Sequence, residues 1–367
     1  MTSPFGGIPG DIAESKQDRR ELNLWTLIGC TDERGDAWHR IQEFQGAEDN
    51  HYPGLIPIGD VMRRLFYWEP QKLQVAYLRP CEAVDADFIR ADGMPVKVIE
   101  TQSNRVGVIR SDTDRDLGVF RSGAEHPPYQ VTLIREAERL TGQTLGISTA
   151  GLLEGGAKAW VEFSMPESLH DPKSGLSYRP NLVKADSMDG SMSLTTALTV
   201  TATVCLNTLR FNLAESKSAG RQTRRKHTRG IVSGNLDDER HALGLLELMG
   251  GEFEAGLHEL IARPLSATQR IEVMDIIVPL PELPGRSRTL AESKRDRLQA
   301  MDTDPMVSQW VGTALGEVQR YSTFNHWYDN RRGGVGRWEG NVWRGLNGTS
   351  ATSDTAVVEA IERVLCG

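Results

Sequence analysis

The chain has 367 residues, of which 39% are hydrophobic and 25% are charged, and this composition excludes a chain that is disordered throughout. The formal net charge of −8 at pH 7 argues against a generally basic nucleic-acid-binding protein, so any such binding must come from local patches. Four cysteines lie far apart without paired spacing, which argues against a disulfide framework or a zinc site: Cys30, Cys81, Cys205 and Cys366. No apolar run is long enough to span a bilayer, and we expect a protein of the cytoplasm without membrane partners.

The first part of the chain divides into two predicted regions. Residues 1–21 lack the apolar centre of a signal peptide and are expected to form a mobile arm. Residues 22–104 form a mixed α/β region, in which GDVMRRLF is expected to begin a short helix. LQVAYL and MPVKVIE in the same region are typical of strands.

Residues 105–234 are predicted to form the core, an antiparallel sheet with a helix. VGVIRS and LGVFRS form one hairpin, and LGISTAGLL and AKAWVEFSM form another around the turn Glu154-Gly155-Gly156. AKAWVEF, NLVKADS and LTTALTVTATV then make a meander. The spacing of leucines after it predicts a long helix from Cys205 to Lys217 that packs on this sheet. The fold class is therefore α+β.

Residues 235–367 are predicted to be mainly helical. Asn235 is a good N-cap for LDDERHALGLLELM, Gly250-Gly251 is expected to interrupt this helix, and ATQRIEVMDIIV predicts another one. A proline-rich connector, 279–287, precedes a helix for which Thr289 and Glu292 resemble a capping box. Two further helices are expected, one with an apolar stripe over 307–318 and a short one that ends at Leu365.

Two segments carry the residues that we select as a nucleic-acid interface. The run RQTRRKHTRG after the Cys205–Lys217 helix is dense enough in cations to contact several phosphates, and its neutral interpretation is a solvated surface loop. The segment from Tyr321 to Arg344 interleaves aromatic residues with arginines, which suits stacking on single-stranded bases, although a buried aromatic helix followed by a loop fits equally well. The selected residues are Arg221, Arg224, Arg225, Lys226, Arg229, Arg331, Arg332, Arg337, Trp338 and Arg344.

Enzyme motifs are mostly missing from the sequence. We find no Walker A loop, no HExxH and no GxSxG, so we assign no catalytic residue, no metal ligand and no cofactor. Metal-dependent nucleases need not carry a compact motif, and a nuclease that uses spread-out carboxylates stays open as an alternative. Its candidate residues are Asp112, Asp189 and Glu162 with Lys184.

Several blocks of the core carry a resemblance to a known family. IRSDTDRDLGVF, STAGLLEGGAKAW, KADSMDGSMSLTTALTVTATVCLNTLRFNL and RRKHTRG, in this order, resemble the phage- and plasmid-encoded family described as domain of unknown function 932. The resemblance covers Arg105 to Arg229, and QWVGTALGEVQRY is similar to the helical C-terminal block of the family. The resemblance implies a phage or mobile-element origin and no established activity.

A weaker similarity is architectural. An antiparallel meander followed by a helix and basic residues is similar to the core of phage single-strand annealing proteins of the Red-beta type, which work without ATP and often as rings. We therefore expect a phage protein that binds and anneals single-stranded DNA in recombination or replication, as a homo-oligomer in a ring or filament. Besides the nuclease, a host-takeover or protein-interaction factor without a nucleic-acid role stays open, in which case the Trp-rich C-terminal segment faces a protein partner.

Overall fold

The computed structural model describes residues 25–31, 48–100, 104–135, 145–165, 167–202, 222–226, 250–305, 307–328, 337–346 and 349–366. Antiparallel sheets occupy the part up to Arg225, and helices occupy the part from residue 250 onward. The predicted α+β class is confirmed. The arm over 1–21, the Cys205–Lys217 helix and the helix after Asn235 all lie outside the described residues.

A large antiparallel sheet forms the centre of the described structure. Its strands follow the order β1-β8-β9-β11-β12-β13, and β10 pairs with β11 beside this path. The strands are β1 (Thr26–Ile28), β8 (Gly146–Leu153), β9 (Lys158–Ser164), β10 (Leu169–Asp171), β11 (Leu176–Ser187), β12 (Leu194–Ala202) and β13 (Gln222–Arg225). The predicted meander is confirmed, since β9, β11 and β12 are neighbours in this order.

Tight turns set the register of the meander. Gly155 and Gly156, between β8 and β9, have φ angles of 66° and 101°, which glycine adopts without the steric penalty of a side chain. Between β11 and β12 the Ser187 hydroxyl accepts from the Met192 amide at 2.9 Å and donates to the Met192 carbonyl at 2.8 Å. These local bonds fix the ends of β11 and β12 and hence which residues share a face.

Two three-stranded sheets lie between β1 and β8 in sequence. One has the order β2-β6-β7, with β2 (Pro70–Gln74), β6 (Arg105–Arg110) and β7 (Asp116–Arg121), so the predicted β6–β7 hairpin is confirmed. The other has the order β3-β5-β4, with β3 (Ala76–Pro80), β4 (Phe88–Ile89) and β5 (Pro95–Glu100). Helix α1 (Ile58–Arg64) matches the helix expected at GDVMRRLF.

The main core packs against the large sheet. Its buried residues from the sheet include Ile147, Val161, Phe163, Leu182 and Leu198. A π-helical turn over Gln130–Arg135 adds Leu133 and Ile134. The remaining apolar side chains of this core come from α1, β6, β7 and nearby loops, so the N-terminal region and the large sheet share one interior.

The C-terminal region is helical, as predicted. Its helices are α2 (250–262), α3 (Ala267–Ile277), α4 (Arg286–Ala300), α5 (Ala314–Thr323), α6 (Arg337–Leu346) and α7 (Thr349–Cys366). A second core joins α3, α4, α5 and α7 through residues such as Val273, Leu298, Val318 and Ile361. Within the described ranges, none of the helices combines the length and the apolar composition required to cross a bilayer.

Four local predictions in this region are corrected. Gly250 and Gly251 are helical residues of α2 and do not interrupt a helix, and a side chain at Gly250 would press on Leu169 at 3.2 Å. The capping box at Thr289 and Glu292 is wrong, because α4 starts earlier, at Arg286, after the N-cap Gly285. A capping box occurs instead at Ser266 and Gln269, before α3.

The stripe over 307–318 is not one helix, since Gly312 (φ 86°) separates a 3-10 turn from α5. The last helix, α7, spans 18 residues and ends at Cys366.

Candidate nucleic-acid interface

The described part of the basic run RQTRRKHTRG forms a strand at the edge of the large sheet. In β13, Gln222–Arg225 pair with Leu194–Ala197 of β12, and β13 ends the strand order. The sequence predicts a charged tail or loop here, whereas the structure contains a β-strand. The reason is tertiary, since β12 has a free side on which a short polar segment completes its backbone hydrogen bonds.

The side chains of β13 alternate between the two faces of the sheet. Arg224 lies opposite Thr195 and Arg225 lies opposite Leu194, so the two arginines belong to opposite faces. Arg224 and Lys226 are exposed, and Arg225 is half-buried with a partner inside the protein. No salt bridge joins Arg224 or Lys226 to a carboxylate among the residues that the structure describes. Their charges are therefore available to a polyanion.

Helix α6, which carries part of the C-terminal segment, packs on the large sheet. Val342, Trp343 and Leu346 contact a small apolar cluster whose members from the sheet are Leu153, Trp160, Val183, Ala185 and Ala197. Ala197 lies opposite Gln222 of β13, and residues directly opposite share a face. Thr195, opposite Arg224, shares this face with Ala197, so Arg224 lies on the face that α6 covers, whereas Arg225 lies on the other face.

The remaining selected residues fall into two groups. Arg344 is half-buried and donates to the Asn341 side-chain oxygen at 2.5 Å and to the Asn325 carbonyl at 3.3 Å, so its guanidinium is held within the protein. Arg337 and Trp338 begin α6, and only their backbone is described. Arg221, Arg229, Arg331 and Arg332 lie outside the described residues.

Three aromatic residues of the C-terminal segment serve the fold. Phe324 is buried in the helical core, and the Tyr328 hydroxyl donates to Asp304 at 2.9 Å. Burial, with that hydrogen bond, raises the pKa of Tyr328. Trp343 lies half-buried with the Lys158 ammonium 4.7 Å from its ring centroid. The interpretation as a buried aromatic helix therefore applies to these three, which leaves Trp327 and Trp338 as the aromatics whose side chains are not described.

The four residues of the nuclease alternative do not form one site. Glu162 lies opposite Val183 and Lys184 lies opposite Val161, so Glu162 and Lys184 project from opposite faces of the sheet. Asp112 pairs with Arg110 at 2.7 Å, and this hydrogen bond lowers the pKa of Asp112 to about 2. Asp189 pairs with Lys158 at 2.9 Å. Each aspartate already neutralises a largely buried cation.

A third cluster was not predicted from the sequence. Asp171 at the end of β10 meets Glu254 and His258 of α2, with one ligand atom from each within 4.8 Å of the others. The His258 Nε2 lies 2.9 Å from Asp171 Oδ1 and 4.0 Å from Glu254 Oε1. The four-residue spacing of Glu254 and His258 in a predicted helix is a signal that two ligands share a face. Asp171 lies 87 residues from His258, and no local pattern joins them.

Comparisons with known proteins identify a family and nothing finer. No curated protein and no solved structure matches the chain significantly. One family model matches residues 129–349, which runs from the π-helical turn through the large sheet to the start of α7. The match thus includes β13, α2 and α6, whereas the β6–β7 hairpin precedes it. Because this match covers more than half of the chain, the protein belongs to the family described as Domain of unknown function (DUF932).

Proposed function

We propose that this protein binds single-stranded DNA along the β13 edge of the large sheet and anneals it without ATP, in phage recombination or replication. The observation that carries the proposal is the exposed pair of Arg224, on the edge strand β13, and Lys226, which directly follows this strand; neither has a carboxylate partner among the described residues. On a chain of net charge −8, such a patch is a local site for phosphates instead of part of a general basic surface.

The placement of α6 supports an extended site. Arg224 lies on the face of the sheet that α6 covers, so a strand that contacts Arg224 can reach the neighbourhood of α6 without crossing to the other face. Arg337 and Trp338 are the first residues of this helix, and an arginine followed by a tryptophan in sequence is a composition that suits phosphate contact combined with base stacking. We propose these two residues as the second half of the interface.

The architecture gives the proposal weaker support. β9, β11, β12 and β13 form an antiparallel array with a basic edge, which is similar to the arrangement expected from annealing proteins of the Red-beta type. Fold analogy does not establish function, and the family itself is described only as of unknown function. The exposed cations Arg224 and Lys226, and not the similarity to Red-beta-type proteins, are the main support for the proposed function.

We also propose self-association, because annealing proteins hold long strands by repeating one site. Large exposed apolar side chains concentrate in the β3-β5-β4 sheet, where Tyr77 is 67% exposed and Ile89 is 65% exposed. Exposed apolar patches of this kind mark association surfaces. Replacement of Tyr77 and Ile89 with Ser is expected to lower the molecular mass measured by light scattering. If the parent protein is already a monomer, and the variant has the same mass, the proposal is contradicted.

The test of the proposed function is fluorescence anisotropy with a labelled oligo-dT over a range of salt concentrations. We expect a negative slope of log affinity against log salt, and at least ~10-fold weaker binding with a slope reduced by about 1–2 for Arg224→Ala/Lys226→Ala. Arg121→Ala is the matched control, because Arg121 is an exposed arginine on the edge strand β7 of another sheet. Undetectable binding at low salt, or equal losses in both variants, overturns the proposal.

A second measurement separates annealing from binding alone. Complementary labelled strands are mixed with and without protein, and the rate of duplex formation is followed by energy transfer. We expect acceleration that ATP does not change, and a smaller acceleration for the Arg224→Ala/Lys226→Ala variant than for Arg121→Ala. Parallel titrations with duplex DNA and with RNA define the preferred nucleic acid. Tight binding without acceleration restricts the proposal to a single-strand-binding protein.

A further inference from the structure

A buried carboxylate, an imidazole and a second carboxylate meet where the large sheet contacts helix α2. Asp171 is 1% exposed, whereas Glu254 and His258 are half-buried and lie one turn apart on α2. One donor atom from each residue lies within 4.8 Å of the other two. The cluster is therefore closed on the side of the sheet and accessible from the side of the helix.

The Asp171 carboxylate is held by neighbours that orient its two oxygen atoms. The Asp171 carboxylate accepts from the Lys173 amide at 3.1 Å and from the Ser174 amide at 3.0 Å. Desolvation raises the pKa of Asp171, but the hydrogen bonds from Ser174 and His258 outweigh it, so this pKa lies well below its usual range. Asp171 is accordingly a carboxylate at neutral pH.

A second layer of contacts orients Glu254. The Tyr178 hydroxyl donates to Glu254 Oε2 at 2.9 Å, which leaves Oε1 as the oxygen that lies 4.0 Å from His258 Nε2. The Tyr178 ring in turn packs on Phe253 with ring centroids 5.1 Å apart. Hydrogen-bonded carboxylates of this kind are typical of metal sites, where outer partners fix the orientation of each ligand.

We propose that Asp171, Glu254 and His258 bind a divalent transition-metal ion, for which Zn²⁺ is the probe. One imidazole nitrogen with two carboxylate oxygens suits zinc and its neighbours better than magnesium or calcium, which take oxygen ligands. Bonds of about 2.1 Å place tetrahedral ligand atoms about 3.4 Å apart. The observed separations of 2.9 Å and 4.0 Å reach this value with movements of less than about 1 Å.

The ion links α2 to the β10–β11 hairpin, and at least one of its coordination positions stays open to solvent. When the ion binds, His258 changes tautomer through solvent, so that its ring proton lies on Nδ1 and the Nε2 lone pair binds the metal; the His258–Asp171 hydrogen bond is replaced by two metal bonds. The same junction contains a small apolar cluster of Leu176, Leu257, Trp310 and Leu315, and the Trp310 indole donates to the Ser174 carbonyl at 3.0 Å. Metal binding therefore stabilises the contact between the sheet and the C-terminal helices, independently of nucleic-acid binding.

Calorimetric titration of EDTA-treated full-length protein with ZnCl₂ tests this proposal. We expect about one ion per chain and a higher melting temperature with the ion than without it. Replacement of His258 with Gln, or of Glu254 with Gln, is expected to weaken binding at least ~10-fold. His170→Gln is the matched control, because His170 lies on the same hairpin, is exposed, and is not part of the cluster. It is expected to bind Zn²⁺ like the parent protein.

Two readouts keep the result interpretable. Glu254 lies half-exposed on a helix, so Glu254→Gln tests the site even if changes at Asp171 disturb the turn after β10. Titration with Co²⁺ is expected to produce visible absorption bands that Glu254→Gln and His258→Gln lose and His170→Gln keeps. Less than half an equivalent of bound Zn²⁺, or equal affinity in His258→Gln and His170→Gln, overturns the proposal.

Discussion

The Lys158 ammonium lies 4.7 Å from the centroid of the Trp343 ring, although the two residues are far apart in sequence. The same ammonium pairs with Asp189 at 2.9 Å and with Glu154 at 2.5 Å, and Lys158 is almost completely buried. Trp343 also packs beside the apolar cluster of Trp160, Val183, Ala185 and Ala197. One indole thus couples helix α6 to the end of the large sheet, by apolar burial and by a cation–π contact.

The first prediction follows from this contact. Trp343→Ala is expected to lower the free energy of unfolding by about 2–3 kcal/mol, because a half-buried indole loses its apolar contacts and leaves a cavity. Urea denaturation followed by circular dichroism measures the change. Trp343→Phe keeps an aromatic face over Lys158 and should recover part of the loss. A cost below about 0.5 kcal/mol for Trp343→Ala would show that α6 does not stabilise the sheet.

The second prediction concerns pH. The Arg110 guanidinium is buried, contacts the Trp68 ring at 4.3 Å, and donates to both oxygens of Asp112 at 2.9 Å and 2.7 Å. The pKa of Asp112 is about 2 in the folded protein, and that of an unfolded aspartate is about 3.9. The pair therefore contributes its full stabilisation above about pH 4, and this stabilisation is lost as the pH falls toward 2.

Asp112→Asn is expected to cost about 1–3 kcal/mol at pH 7 and to flatten the fall in stability between about pH 4 and pH 2. Urea denaturation at a series of pH values gives both quantities. Asp114→Asn is the control, since Asp114 is exposed in the same turn, and its pH profile should match that of the parent protein. Parallel profiles for the parent protein and Asp112→Asn contradict the assignment.

The sequence predicts the large sheet well because the signals are local. Alternating or β-branched runs mark β8, β9, β11 and β12, and Gly155 with Gly156 marks a turn that only one register satisfies. Strand β13 has no such signal, since QTRR reads as a surface segment until β12 offers an edge. The apolar periodicity over 307–318 correctly predicts which side chains are buried, since Val307, Trp310 and Val318 all are. It does not reveal the break in the helix at Gly312.

In the candidate site, too, the sequence reveals the local features but not those that depend on the fold. Dense cations in one run are visible in the sequence, whereas the pairing of Asp112 with Arg110, of Asp189 with Lys158 and of Arg344 with Asn325 depends on the fold. Local charge density cannot tell an ion-paired cation from one that is available to a ligand. The cluster of Asp171, Glu254 and His258 is harder still, because the sheet supplies one member and a helix supplies the others.

The third prediction uses two glycines that lie in helices and have opposite surroundings. A side chain at Gly316 in α5 would lie 2.1 Å from the Trp310 carbonyl oxygen, whereas nothing lies within 4 Å at Gly340 in α6. Gly316→Ala is therefore expected to destabilise the protein by about 1–3 kcal/mol, because backbone must move. Gly340→Ala is expected to stabilise it by up to about 1 kcal/mol through helix propensity. Thermal and urea denaturation should show opposite signs, and equal signs contradict the packing at Gly316.

The fourth prediction concerns charges enclosed by the C-terminal helices. Glu317 of α5 is buried and accepts from Arg270 of α3 at 2.6 Å, and Arg320 lies 3.3 Å from the same oxygen. Asp302 pairs with Arg270 at 2.6 Å and also with Arg320, so two arginines share two carboxylates. Desolvation raises the pKa of Glu317, and the hydrogen bond from Arg270 opposes this shift. The network holds α3 and α5 together only while both carboxylates are present.

Removal of one carboxylate leaves two poorly solvated arginines with one counter-charge. Glu317→Ala is therefore expected to cost about 3–5 kcal/mol, and Glu317→Gln about 1–3 kcal/mol, since the amide still accepts a hydrogen bond. Glu362→Ala is the control, because Glu362 is exposed and its contact with Arg263 is 3.9 Å long, and its effect should stay within about 0.5 kcal/mol. Urea denaturation of the three variants measures these costs. If Glu317→Ala is no more harmful than Glu362→Ala, the arginines find other partners or solvent, and the buried network does not hold α3 against α5.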